Sequence, residues 1–288
     1  MAQSLELDAY KQGVADFYDR RSQGYDEGEW RVQVCHRLLA YSPVSIGESV
    51  LDIGTGTGCV AIASAKTVGT QGHVTGVDIS PRMLKQAHRK VTALGLNNVT
   101  FQLADAETLD DPAHQFDHVL CANTFPWMKN KAATLRLWHR FLKPGGRIAV
   151  HTPADTAYVG AVVLRRVLAR HGLALEASNR MGSIDQCRTL FENAGFEAVE
   201  LKTEQHGSFT TLDKARATWE SVVVNPSVTS PQVANDGLST LSQPQLARIK
   251  AEFATELETL QTEQGVWDDL TTLYILGRKP VYTEIASS

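Results

Sequence analysis

The chain has 288 residues, 43% of them apolar and 21% charged, with a net charge of −4. That is enough for one large globular domain, or one domain with an added cap, and it excludes a disordered or fibrous chain. No basic excess exists to neutralise phosphates, which argues against a large nucleic-acid footprint and for a small-molecule partner.

The first eight residues, Met-Ala-Gln-Ser-Leu-Glu-Leu-Asp, lack a basic start and an apolar core, so no signal peptide is expected. The first strand is Ser49–Ile53, an apolar run carrying Asp52. It leads into Gly54-Thr55-Gly56-Thr57-Gly58, a glycine turn that opens a helix. Such glycines let the backbone adopt positive φ and pass close to a ligand. The spacing is G-x-G-x-G, not the G-x-G-x-x-G of nicotinamide sites. Asp52 stands where a nicotinamide-binding strand is usually apolar, and a ligand bearing an ammonium group gains directly from it.

The second strand is His73–Asp78. Ser80-Pro81 then offers an N-cap and a first-turn proline; Met83, Leu84, Ala87, Val91 and Leu94 form one apolar stripe, and Gly95 stops the helix. The third strand, Val99–Leu103, is followed by Asp105-Ala106, and the fourth, His118–Cys121, by Ala122 through Trp127. A helix with Leu135, Trp138, Phe141 and Leu142 ends at Lys143-Pro144-Gly145-Gly146, ahead of a fifth strand at Arg147–Thr152. A helical stretch over Thr156–Leu175 interrupts the alternation; Arg165, Arg166, Arg170 and His171 make it too charged to span a bilayer. Ser183 to Gln186 reads as a capping box, and Glu197–Thr203 as the next strand. Residues 207–265 form a long interruption with a loop-like stretch, Asn225–Gln243, and a one-sided helix bearing Leu246, Ile249, Phe253, Leu257 and Leu260. Thr271–Leu276 reads as the last strand.

Strands alternating with helices give an α/β fold with a parallel sheet. In such sheets ligands bind beyond the carboxyl ends of the strands, at the switch point. Three strand ends there carry aspartates: Asp52, Asp78 and Asp105. Any one of them serves a helix N-terminus as readily as a ligand. Three in succession beside a glycine turn point to a nucleoside-type cofactor, with Asp78 accepting from ribose hydroxyls and Asp105 from an adenine amino group. Four scattered cysteines, Cys35, Cys59, Cys121 and Cys187, include no C-x-x-C pair, so neither a metal site nor a disulfide framework is expected. They fit a reducing, cytoplasmic compartment.

Here the chain resembles the class I S-adenosylmethionine-dependent methyltransferases. The matching residues are Leu51 to Gly58, Gly76-Val77-Asp78-Ile79-Ser80 with Met83 and Ala87, Ala104-Asp105-Ala106, and Leu142 to Gly146. Phe17-Tyr18-Asp19 through Gly24-Tyr25-Asp26 also resembles the N-terminal box of the ubiquinone and menaquinone biosynthesis C-methyltransferase branch. The resemblance implies a Rossmann-like, seven-stranded, mostly parallel sheet with helices on both faces and an antiparallel last strand. The segments that break the alternation read as a helical cap, which divides the chain into 1–45 as an N-terminal cap segment, 46–206 with 266–280 as the cofactor domain, and 207–265 as a helical insertion covering the substrate. The bland alternative for the helical segments is simple packing on the core.

The resemblance also assigns a site, with S-adenosylmethionine as cofactor. Gly54, Thr55 and Gly56 belong to the turn around the methionine moiety, and Asp52 holds its ammonium directly or through water. Asp78 takes the ribose, Ile79 and Met83 pack on adenine, Asp105 and Ala106 address its edge, Asn123 faces the methionine part, and Tyr25 closes over the site. Asn123 to Trp127 depart from the Asn-Pro-Pro-Tyr of enzymes that methylate exocyclic amines in nucleic acid. Should the acceptor need a base, His151 at the end of the fifth strand is the first candidate, with His36, His139 and His206 behind it and Tyr18 close by. Phe125 and Trp127 are candidates to stack on a planar acceptor. The expected reaction is in-line methyl transfer to a metabolite or natural product. The rivals are a nicotinamide-dependent oxidoreductase, which the glycine spacing and the missing Tyr-x-x-x-Lys pair oppose, and a non-catalytic S-adenosylmethionine-binding protein.

Overall fold

Apolar runs flanked by turn residues become strands buried on both faces, and buried parallel strands need helices to cover them. The computed structural model, which describes residues 5–110, 112–173, 181–224 and 238–281, builds this pattern. The chain falls into two compact units: Met1–Thr152 with Gly182–Lys202 and Tyr274–Ser288, and Pro153–Met181 with Thr203–Leu273.

In the first unit, β1 (Ser49–Ile53), β2 (His73–Asp78) and β3 (Val99–Leu103) occupy the residues expected of them. β4 (Phe116–Ala122) and β5 (Leu142–Pro153) run longer than expected. The reason in β5 is local. Pro144 bars helix continuation, and the chain extends at once because Gly145 N–H donates to Lys279 O at 3.0 Å and Lys279 N–H to Gly146 O at 2.8 Å. With β6 (Glu197–Glu204) and β10 (Thr272–Arg278) the sheet has seven strands in the order β3-β2-β1-β4-β5-β10-β6. β1 pairs in parallel with both β2 and β4, placing the switch in strand order between β1 and β4. β10 is antiparallel: Lys279 faces Gly146 at one end and Thr271 faces Ala154 at the other.

The flanking helices form where the sequence signals them. α1 (Ala9–Arg21) is capped by Asp8, and α2 (Trp30–Tyr41) follows. α3 (Cys59–Val68) starts directly after Gly58. α4 (Pro81–Ala93) has Ser80 accepting from Met83 N–H and buries Met83, Leu84, Ala87 and Val91. α5 (Lys131–Phe141) buries Leu135, Trp138 and Phe141. α7 (Ile184–Glu192) shows the reciprocal capping box of Ser183 and Gln186. No helix among the described residues is long and apolar enough to cross a membrane.

The second unit has its own core. α6 (Val159–Arg170), α8 (Leu212–Trp219) and α9 (Gln243–Thr259) bury Val163, Leu164, Val167, Leu168, Ala215, Trp219, Ile249, Phe253 and Leu257 against one another. The α9 stripe is therefore spent inside this cluster, except for Leu260, which caps the helix and is exposed. The stretch 207–265, expected as a helical insertion with a loop, also holds strands. β7 (Gly207–Thr210), β8 (Gln261–Thr262) and β9 (Gly265–Asp269) form an antiparallel sheet in the order β7-β9-β8, with Phe209 and Trp267 paired edge to face at 5.2 Å. Strands this short, joined across more than fifty residues, leave no local periodicity to read. Of the loop expected over 225–243, residues 225–237 lie outside the described residues, as do 174–175 of the helical stretch.

Candidate active site

The turn after β1 is made by its glycines. Gly54, Gly56 and Gly58 have φ of 65°, 56° and 87°, a region L side chains rarely adopt. A side chain at Gly54 would also overlap that of Thr124, so the β1 and β4 loops meet without room for a Cβ. Asp52 braces the turn: its Oδ2 accepts from Thr55 Oγ1 at 2.6 Å and from Ala61 N–H at 3.0 Å. Asp52 is 1% exposed, and burial pushes its carboxyl up to about 7 despite those two donors.

A cavity opens in the first unit where these loops converge. Its wall includes Gly54 and Gly56 from the turn, Asp78 and Ile79 from the β2 end, and Met83 from α4. Asp105 and Ala106 follow β3, Asn123 follows β4, and Tyr18 and Tyr25 come from the N-terminal segment. Asp78 accepts from Gly56 N–H and Ser80 N–H, both at 2.8 Å, and withdrawal of water pushes its carboxyl up to about 6 against the pull of those donors. Asn123 sits at φ 58°, a left-handed position asparagine tolerates, and donates its N–H to His151 O at 3.0 Å.

Three expected site residues stand elsewhere. Asp52 and Thr55 lie behind the turn and do not line the cavity. His151 is wholly buried, its ring 4.7 Å from that of Tyr274 and 6.3 Å from Trp30. It does not line the cavity: its ring is taken up by packing against those two aromatic side chains. None of the other candidate histidines lines the cavity either. Of the two aromatic candidates, Trp127 is in the wall, against Tyr18 at 5.7 Å. Phe125 is core, packed on Trp138 and Phe191 at 5.5 and 6.1 Å. Burial raises the Tyr18 phenol above its ordinary value, so it stays protonated at neutral pH.

Sequence reasoning missed Lys11, Val14, Thr124 and Met128, which also line the wall. Lys11, Val14 and Tyr18 fall three and four apart on one face of α1, and a lysine in such a row was the available signal. Its ammonium is 3.0 Å from Asp105 Oδ1 and 2.5 Å from Glu107 Oε2. Other links seat the N-terminal segment: Tyr10 Oη donates to Trp127 O at 3.1 Å, Ser80 Oγ to Asp19 at 2.5 Å, and Thr57 Oγ1 to Asp26 at 2.6 Å. Arg31 stacks on the Tyr25 ring at 3.9 Å.

The wall suits a cationic nucleoside. Asp78 and Asp105 offer acceptors of the kind that ribose and base donors need, Ile79 and Met83 add apolar surface, and Tyr18, Tyr25 and Trp127 add aromatic surface of the kind that suits a sulfonium. The glycine cradle removes the side chains that would fill the space.

A fold, strand order and wall of this kind define a nucleoside-cofactor transferase. The methyltransferase-domain family model matches residues 45–195, so the chain belongs to the class I S-adenosylmethionine-dependent methyltransferases, and S-adenosylmethionine is its cofactor. It resembles the ubiquinone and menaquinone biosynthesis branch. The chain is 36% identical over 155 residues to aklanonic acid methyltransferase DauC of Streptomyces sp. (strain C5), covering 53% of this chain and 70% of the relative. It is 31% identical over 188 residues to the ubiquinone/menaquinone biosynthesis C-methyltransferase UbiE of Escherichia coli O1:K1, covering 57% and 74%. Among solved structures, phosphoethanolamine N-methyltransferase 2 of Haemonchus contortus, in complex with S-adenosylhomocysteine, superposes with a TM-score of 0.58 at 20% identity. That superposition covers 95% of this chain and 61% of the other, and shows the shared fold.

Proposed function

We propose that this methyltransferase acts on a small, largely apolar organic acceptor by in-line displacement. The observation that carries this reading is the composition of the cavity wall, which joins the carboxylates of Asp78 and Asp105 to the apolar and aromatic side chains of Val14, Tyr18, Trp127 and Met128. The carboxylates suit the cofactor, and the apolar and aromatic side chains suit a planar metabolite. The net charge of −4 supports a small acceptor over a polyphosphate. The two relatives named for aklanonic acid and for quinone biosynthesis support the same class.

When bound, the cofactor supplies an electrophilic methyl group on a sulfonium. The residues of this chain position and exclude. Asp78 accepts from the ribose hydroxyls and Asp105 from the adenine amino group, while Ala106 meets the base edge and Ile79 and Met83 pack on its faces. Gly54, Gly56 and Asn123 surround the methionine part; Asp52 and Thr55 hold the turn in shape from behind. Tyr25 and Tyr18 close the wall and keep out water, which raises the weight of every charge inside. The Tyr18 phenol, held protonated by burial, orients the acceptor as a hydrogen-bond donor and removes no proton. Among the described residues no histidine lines the wall, and in this reading the acceptor arrives as its own nucleophile, such as a phenolate, an enolate or an amine.

We further propose that acceptor choice rests with the insertion 207–265, a stretch outside residues 45–195 that match the family. The test is a screen of phenolic, quinonoid, amine and carboxylate metabolites, reading released S-adenosylhomocysteine. Turnover with a phenolic or quinonoid member supports the reading. Turnover confined to nucleic acid or protein substrates overturns it.

A further inference from the structure

We propose that Lys11 is a positioning residue for adenine recognition, acting through Asp105. The inference rests on the proposed role of Asp105 and assigns a function to a side chain that the site does not otherwise use. Lys11 is 4% exposed, although lysine is almost never buried without a partner. Its partners are unequal. Glu107 is held by several groups: its carboxylate also accepts from Lys129 N–H at 3.0 Å, Asn130 N–H at 2.8 Å and Thr134 Oγ1 at 3.2 Å, at the start of α5. Burial works to raise the Glu107 carboxyl, but the Asn130 N–H and Lys11 outweigh it and hold it below the usual range. Asp105 is held by fewer groups. Its Oδ1 accepts from Lys11 Nζ at 3.0 Å and from Glu107 N–H at 3.1 Å.

Among the described residues, no hydrogen bond reaches Asp105 Oδ2, although Asp105 lines the cavity. Lys11 thus ties one carboxylate oxygen to a fixed point and leaves the second for a donor entering the cavity. An adenine 6-amino group is such a donor. Without the ammonium the carboxylate turns on its χ angles, and its ordering is then charged against ligand binding. Because Lys11 belongs to α1, the acceptor for the base is complete only when that helix is seated.

A purely structural lysine would hold α1 down and weaken every ligand alike; a positioning lysine is felt by the amino group alone. The experiment is calorimetric titration with S-adenosylhomocysteine and with its analogue carrying hydrogen in place of the purine 6-amino group. Lys11→Met should lose about tenfold for the first ligand and less than about threefold for the second. In the Asp105→Asn background, Lys11→Met should cost less than about threefold for either. Lys11→Arg should restore most of the affinity for the amino-bearing ligand. Equal losses for both ligands, or a full loss in the Asp105→Asn background, overturn the inference. If Lys11→Met does not fold, Glu107→Gln slackens the lysine without removing its charge and is judged by the same two-ligand criterion. Failure of S-adenosylhomocysteine to bind the unsubstituted protein overturns the parent reading and this one with it, whereas equal losses overturn only the role of Lys11.

Discussion

The two units spend their charged residues differently. In the first, the carboxylates of Asp52, Asp78, Asp105 and Glu107 are withdrawn from water at or near one cavity and met by backbone N–H groups, and the Lys11 ammonium pairs with the last two. In the second, charges pair on the outside of an aliphatic core, as in Arg166 and Arg170 on Glu256, Arg216 on Glu258 and Lys250 on Glu220. Withdrawing a charge is costly, and a fold bears it where the charge meets a ligand. Surface pairs cost little and contribute little. The contrast separates residues kept for chemistry from residues kept for solubility and packing.

The largest effect should come from the aliphatic core. Phe253→Ala, at a site 1% exposed between α6, α8 and α9, should cost about 3–5 kcal/mol of stability in denaturant unfolding. The folded fraction should keep its affinity for S-adenosylhomocysteine, and loss of that affinity would break the comparison. Next is pH. Asp52 rises from an ordinary 3.8 to about 7 on folding, so the native state binds its proton more tightly than the unfolded chain. Its contribution is present below about pH 4 and is lost as pH climbs through 7, on the order of 4 kcal/mol in all. Asp52→Asn should flatten that slope in a melting series of the ligand-free protein. An unchanged slope would remove Asp52 from the withdrawn set.

Asp78→Ala should weaken S-adenosylhomocysteine binding by about 1–3 kcal/mol, read by calorimetry. Because burial lifts the Asp78 carboxyl to about 6, the affinity of the intact protein should fall as pH drops through that value. Affinity that persists in the variant contradicts the ribose role. The smallest effect should be Glu256→Gln, which unties two surface arginines and should shift stability by less than about 1 kcal/mol. A larger shift would mean that the outer pairs of the second unit bear more weight than their exposure implies.

What could be read in advance follows the same division. β1, β2 and β3, the glycine turn, Asp78 and Asp105 were legible because a strand end, a turn and a following helix are contiguous in sequence. His151 was misjudged because strand position says only that a residue is near the cavity end, while its packing against Trp30 and Tyr274, distant in sequence, decides whether it lines the wall. Lys11 was missed because its partners lie about ninety residues away, and a lysine in an apolar row looks like a solvated one until the opposing carboxylates are in place. The β7-β9-β8 sheet was missed for a related reason: Phe209 and Trp267 find each other only in three dimensions.

The contact between Gly54 and Thr124 has a practical consequence for anyone wishing to retrain this enzyme on new acceptors. Part of the pocket wall is a seam closed by the absence of atoms, and no smaller residue exists to loosen it. Val14 of α1 and Met128, also in the wall, are side chains that can be exchanged singly. Libraries that vary Val14 and Met128 while leaving the seam alone should keep their cofactor, and those that touch Gly54 should lose it before any new specificity can be selected.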